Sequence, residues 1–180
     1  MQVQGPNVDL AIHTLGWKAF QDLCAQVCAV TLGTIVSIYR EAQDGGQDAV
    51  FQTRKAGSGQ EGVEATIQCK FSGKADLRLR ATDVDAELAT VRELVAAGQA
   101  KTYYFITSQG VDAPVAGKIR AKLVEAGVSE PHVLGREWLT QQIRSSARLR
   151  ALVPRVYGLG DLSTILDERC AHQTQALLGH

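Results

Sequence analysis

The stretch from Asp44 to Lys70 constrains the fold more than any other, because it reads as a glycine turn, a strand, a loose polar loop and a second strand. Ala49 to Thr53 and Thr66 to Phe71 alternate apolar and polar residues and are rich in β-branched or aromatic types, the pattern of strands. The Gly- and Ser-rich span between them has no periodicity and predicts a β-hairpin closed by a flexible loop. Alternation in the second strand puts Ile67, Cys69 and Phe71 on one face and Thr66, Gln68 and Lys70 on the other. If the first strand pairs with it, Asp48 at that strand's start joins Gln68 and Lys70. A carboxylate, an amide and an amine at the edge of a small sheet are an inventory suited to holding a divalent cation and a water against a phosphodiester.

The surrounding pattern predicts an α/β chain. Thr14 can cap a helix from about Gly16 to Val30, with Phe20, Leu23, Cys24, Val27 and Cys28 as its core stripe. Ile35 to Tyr39 reads as a first strand. After the hairpin, Asp83 caps an amphipathic helix to about Ala97 that turns Leu88, Val91, Leu94 and Val95 inward and is closed by Gly98. Thr102 to Thr107 is an apolar run of strand length, as expected of a central strand covered on both faces. A helix from Ala113 to Ala126, a short strand at His132 to Leu134 and a helix from Arg136 to Ile143 follow, an order that implies parallel pairing.

Composition narrows the classes. The chain has 180 residues, long enough for one domain with a proper core. A formal net charge of +0 excludes binding of nucleic acid by bulk charge, so such a site must be a local patch. No apolar run reaches the ~18 residues of a membrane span, and the start lacks a basic segment followed by an apolar one, so a cytoplasmic location is expected. The four cysteines, Cys24, Cys28, Cys69 and Cys170, have no zinc-site spacing and read as buried thiols in a reducing compartment. His13, His132, His172 and His180 are scattered, none beside a candidate nucleophile.

The order Asp48, then Gln68-x-Lys70 on the next strand, resembles the PD-(D/E)xK nuclease superfamily. It is most similar to the Mrr-like restriction endonuclease branch, in which glutamine stands for the usual acid and the first half often reads DGGxD. That family also places a helix with a glycine, a phenylalanine and a Glu or Gln ahead of the hairpin, here Gly16, Phe20 and Gln21. The resemblance covers roughly residues 14 to 140. It implies a restriction-endonuclease-like core of helix, three-stranded meander, helix and strand, with additional C-terminal helices.

The implied activity is hydrolysis of DNA phosphodiester bonds with Mg²⁺, or Mn²⁺ in its place, on double-stranded DNA. Asp48, Gln68 and the carbonyl of Cys69 are the implied metal ligands, Lys70 orients the water and stabilises charge, and Gln21 is a weak ligand or supports the water. Gln21 also reads as a solvated helix position. Many relatives carry glutamate there, so this chain offers the cation one less negative charge. Asp44 has two readings, a turn residue before Gly45 and Gly46, which is favoured, and an additional carboxylate.

Lys74, Arg78 and Arg80 are candidates for phosphate contacts, as are Arg136, Arg148 and Arg150, although charge runs also form solvated faces. From Ser145 the character changes: arginines bunch, Pro154 is expected to interrupt the helical pattern, and Asp161 or Ser163 can cap a last helix toward Leu178. Residues 1–144 are read as the nuclease domain and 145–180 as a helical extension or linker. That tail resembles the segment joining Mrr-like domains to an ATPase in bacterial STAND-type antiphage proteins, which implies an effector domain with a further domain, or a second copy, as partner. The rival reading is a nuclease-like module that binds nucleic acid or a partner domain without cutting, favoured by Gln21 and Gln68 standing where acids are usual. A third is a purely structural oligomerisation module.

Overall fold

The computed structural model describes residues 10–33, 35–40, 48–54 and 65–156, and the side chains of residues 35–40, 48–54 and 153–156 are outside that description. Five strands, β1 (Ile35–Arg40), β2 (Asp48–Arg54), β3 (Ala65–Lys70), β4 (Thr102–Thr107) and β5 (Glu130–Leu134), form one mixed sheet in the order β1-β2-β3-β4-β5. β1, β2 and β3 pair antiparallel, and β3, β4 and β5 pair parallel.

Parallel neighbours need a crossover, and crossovers are right-handed in nearly all sheets. Two successive crossovers that advance in the same direction across a sheet therefore put both helices on one face. Here α2 (Leu88–Ala96) connects β3 to β4 and α3 (Ala113–Glu125) connects β4 to β5. They bury Val91, Ile119 and Leu123 against Tyr103 and Phe105. The other face is left to α1 (Trp17–Leu32), α4 (Arg136–Ser145) and α5 (Ala147–Val156), whose Phe20, Leu23, Cys24, Val27, Leu139, Ile143 and Leu149 close over Ile67, Cys69 and Ile106. The fold is thus α/β and restriction-endonuclease-like, with helices on both faces of the sheet.

The α1 stripe and the inward set of α2 agree with their sequence periodicity, but the helix starts do not. Thr14 Oγ1 donates to the carbonyl of Ala11 at 2.7 Å, inside a single 3₁₀ turn (Ile12–Thr14), and α1 begins after Gly16 without a side-chain cap. Asp83 is likewise taken up locally: its carboxylate accepts from the Arg80 amide at 2.8 Å and from the Arg80 guanidinium at 2.9 and 3.1 Å. A second 3₁₀ turn, Asp85–Glu87, then leads into α2. Both residues had a nearer hydrogen-bond partner than a helix amide, the usual competitor of a cap. Gly98 does close α2, with φ 71°.

Pro154 does not stop its helix, since α5 runs to Val156. A proline within a helix frees a single carbonyl, and here Leu149 anchors the earlier turns in the core at 1% exposure. The turn Asp44–Gly46 and the last helix toward Leu178 lie outside the described residues. Among the described residues no helix is long and apolar enough to cross a membrane.

Candidate active site

The site is built from the end of β3 and what surrounds it. In the β2–β3 ladder, Asp48 is the register partner of Lys70, and Val50 that of Gln68. Directly opposed positions of an antiparallel pair share a face. Position 48 therefore falls on the sheet face of Gln68 and Lys70. Within β3 the alternation holds: Ile67 and Cys69 are buried in the α1 layer at 0% and 2% exposure, while Thr66 bonds the carbonyl of Gln99 at 2.7 Å on the opposite side.

Gln68 is 3% exposed, and its Oε1 accepts a hydrogen bond from the hydroxyl of Tyr103 on β4. Lys70, the last residue of β3, extends its Nζ to 3.4 Å from Oε1 of Glu87, with side chains 24% and 16% exposed. Glu87 follows two carboxylates that are engaged elsewhere, Asp83 with Arg80 and Asp85 with Lys122 at 2.5 Å. Partial burial raises the Asp83 carboxyl, but the Arg80 amide and guanidinium, with Lys70 nearby, outweigh it and hold the group below the usual carboxylate range.

The described strand end carries hard oxygens, Oε1 of Gln68 and the main-chain carbonyl of Cys69, and the register partner of Lys70 on β2 is an aspartate, Asp48. These oxygens suit Mg²⁺ or Mn²⁺ and not a thiophilic ion, because the Cys69 thiol is turned into the core among Cys24 and Cys28. Burial pushes the Cys24 and Cys28 thiols well above their ordinary range, with Cys69 adding to the shift in both cases, so they are protonated and inert. Among the described residues no group of three or more His, Cys, Asp and Glu side chains could hold a metal ion.

Gln21 comes from the helix covering the other face, at the level of the same strand end, since the ring of Phe20 lies 5.6 Å from that of Phe71. It is 5% exposed and so not a solvated position, and its Nε2 is buried without a hydrogen-bond partner. That is an unusual condition for a core amide.

The basic candidates divide into two groups. The loop that leaves β3 carries Lys74, exposed, and Arg78 and Arg80, which pair with Asp112 and Asp83. It is tied to the end of β4 by Leu79 N to Gly110 O at 2.9 Å and Gly110 N to Leu77 O at 3.1 Å. Arg136 is structural in this arrangement: its Nη1 donates to the carbonyl of Ala75, and its Nε is buried without a partner. The backbone around it is tight, for a Cβ on Gly135 would come 2.5 Å from Cγ2 of Val111. Arg148 and Arg150 are exposed on α5, with Nη1 of Arg150 on the carbonyl of Arg144.

Sequence reasoning missed Tyr103 and Glu87. Tyr103 stood in a run read as apolar, yet a buried tyrosine hydroxyl needs a partner, and that requirement was the available signal. Glu87 offered none, because its contact with Lys70 joins the two ends of an irregular loop.

The Mrr catalytic-domain family model, described as restriction endonuclease, matches residues 12–126. That span runs from the 3₁₀ turn before α1 to the end of α3 and takes in the whole β2–β3 hairpin and its surroundings. No curated protein matches the chain.

Proposed function

Because the chain belongs to the restriction endonuclease family that this model describes, we propose that it is a metal-dependent endonuclease cutting double-stranded DNA at the Asp48, Gln68, Lys70 edge. The observation that carries the reading is the β2–β3 register, which opposes Asp48 to Lys70 and sets Gln68 two residues before the lysine. Asp48, Gln68 Oε1 and the Cys69 carbonyl would hold the cation. A bound Mg²⁺ or Mn²⁺ supplies charge neutralisation at the phosphate and a lowered pKa for its water.

The chain's own residues do the remainder. Hydrolysis joins a water oxygen to phosphorus and expels one ester oxygen, which leaves with a proton. Lys70 donates a hydrogen bond to that water or to a non-bridging oxygen and offsets the charge that builds in the transition state. Tyr103 fixes the rotation of the Gln68 amide, keeping Oε1 the acceptor on this face. Gln21 stands behind the strand end as a supporting donor. Lys74, Arg78 and Arg80 lie on the loop leaving the same end of β3, and an exposed pair such as Arg78–Asp112 is worth under about 1 kcal/mol, so a phosphate can replace its carboxylate at small cost. Arg148 and Arg150 would add a second contact strip. By the resemblance of residues 145–180, the activity would serve as the cytoplasmic effector of an antiphage defence protein, with a further domain or a second copy as partner.

The second reading, a module that binds nucleic acid or a partner domain without cutting, is favoured by the burial of Gln68 and its bond to Tyr103. A plasmid-nicking assay with Mg²⁺, with Mn²⁺ and with EDTA separates the two. Cleavage that needs the metal and is lost in Lys70→Ala supports the nuclease, and binding of DNA with no cleavage under any metal supports the rival.

A further inference from the structure

The ion pair at the end of β3 carries one inference beyond the site described above. Lysine is a point charge on a flexible four-carbon stem, and at the last residue of a strand nothing in the backbone fixes where its ammonium sits. Here Nζ lies 3.4 Å from Oε1 of Glu87, with both side chains mostly shielded from solvent, at 24% and 16% exposure. Shielding reduces the screening that makes exposed pairs weak.

The backbone that carries this carboxylate is well anchored. The Glu87 amide donates to the Val84 carbonyl at 3.0 Å, and Val84 is 0% exposed in the α2–α3 core. Asp85, two residues before, is fastened by Lys122, whose Nζ also reaches the Ala81 carbonyl at 2.9 Å. Three carboxylates thus fall in the segment 83–87, and each forms an ion pair with a different cation: Asp83 with Arg80, Asp85 with Lys122, and Glu87 with Lys70, which also lies near enough to Asp83 to lower its pKa. The segment is a rigid support that aims one of its three acids at the strand end.

We infer that Glu87 is a positioning residue for Lys70, supplying from the β3–α2 connection the carboxylate that Gln68 does not, and holding the ammonium over the phosphate position. This rests on the nuclease reading. Without the carboxylate, Lys70 loses the partner that holds its ammonium from the β3–α2 side, so the ammonium is in place for less of the time and the chemical step slows while substrate and metal still bind.

The test compares wild type, Glu87→Gln, Glu87→Asp and Lys70→Met in plasmid cleavage with Mg²⁺. Each protein is also measured for Mn²⁺ affinity by titration, for DNA affinity in Ca²⁺, and for melting temperature. Glu87→Gln is nearly isosteric, and the expected result is a fall in kcat of roughly 10- to 100-fold, the scale of a misplaced catalytic group. KM, Mn²⁺ affinity and DNA affinity should stay within about twofold of wild type, and Glu87→Asp should recover part of kcat, as a purely structural role would not produce. A Glu87→Gln protein as fast as wild type, beside an inactive Lys70→Met, would overturn this inference alone. So would a loss of Mn²⁺ affinity matching the loss of rate, which would make Glu87 a ligand. An inactive wild type would overturn the nuclease reading and this inference with it.

Discussion

The hydroxyl of Tyr103 donates to Oε1 of Gln68 across the β3–β4 ladder, with both residues almost wholly buried. Replacing Tyr103 by Phe removes the donor and leaves a buried amide oxygen short of a partner, at a typical cost of about 1–3 kcal/mol. The Tyr103→Phe protein should therefore melt lower than wild type. It should also cleave more slowly, because the Gln68 amide loses the bond that fixes its rotation. Thermal melts and plasmid cleavage on the same preparation check both.

Asp83 makes stability depend on acid. Its folded pKa lies below the ordinary 3.8, so its bonds to Arg80 contribute at neutral pH and are lost as pH falls from that value through the lower folded one. Asp83→Asn should melt below wild type at pH 7, and the gap should close as the pH drops beneath 3.8. Calorimetry of both proteins across that range measures the closure.

The thiols of Cys24 and Cys28 titrate far above their usual range because they are buried. Iodoacetamide at pH 8 should leave both unmodified in the native protein and modify both in urea. A raised folded pKa contributes stability below the unfolded value of 9.0 and loses it as pH rises beyond, so stability should also decline above that point. Mass spectrometry of digests reads the labelling, and melts between pH 7 and pH 10 read the decline.

Arg148 and Arg150 are exposed on α5, so reversing both to glutamate should leave the melting temperature nearly unchanged, as most surface changes do within about 0.5 kcal/mol. If this strip grips DNA, the double variant should bind more weakly and with a shallower salt dependence. Titrations at several salt concentrations give the slope.

Much of this was legible in the sequence because it is periodic. Ile67, Cys69 and Phe71 against Thr66, Gln68 and Lys70 is a period of two, and the structure divides them accordingly. Phe20, Leu23, Cys24, Val27 and Cys28 repeat at helical spacing and all lie in the core. Local competition was not legible: Asp83 could cap a helix or bond Arg80, and the nearer cation won. Contacts between distant segments were not legible either, which is why the pairing of Glu87 with Lys70 and of Tyr103 with Gln68 had to be seen in three dimensions. Pro154 misled because Leu149 anchors the preceding turns in the core and the helix carries through the proline to Val156.

The proposed metal site depends most on Asp48, the register partner of Lys70 and the one carboxylate among the described residues of strands β2 and β3. Asp48→Asn keeps shape and hydrogen bonding and removes the charge, so losing the principal metal carboxylate should slow cleavage by on the order of 10³-fold at an unchanged melting temperature. Asp44→Asn, the turn reading, should cost roughly 1 kcal/mol of stability and leave most activity. The deciding measurement is Mg²⁺-dependent plasmid cleavage by Asp48→Asn beside wild type. A folded, inactive variant is the predicted result, and a folded variant that cuts at the wild-type rate would contradict the site assignment.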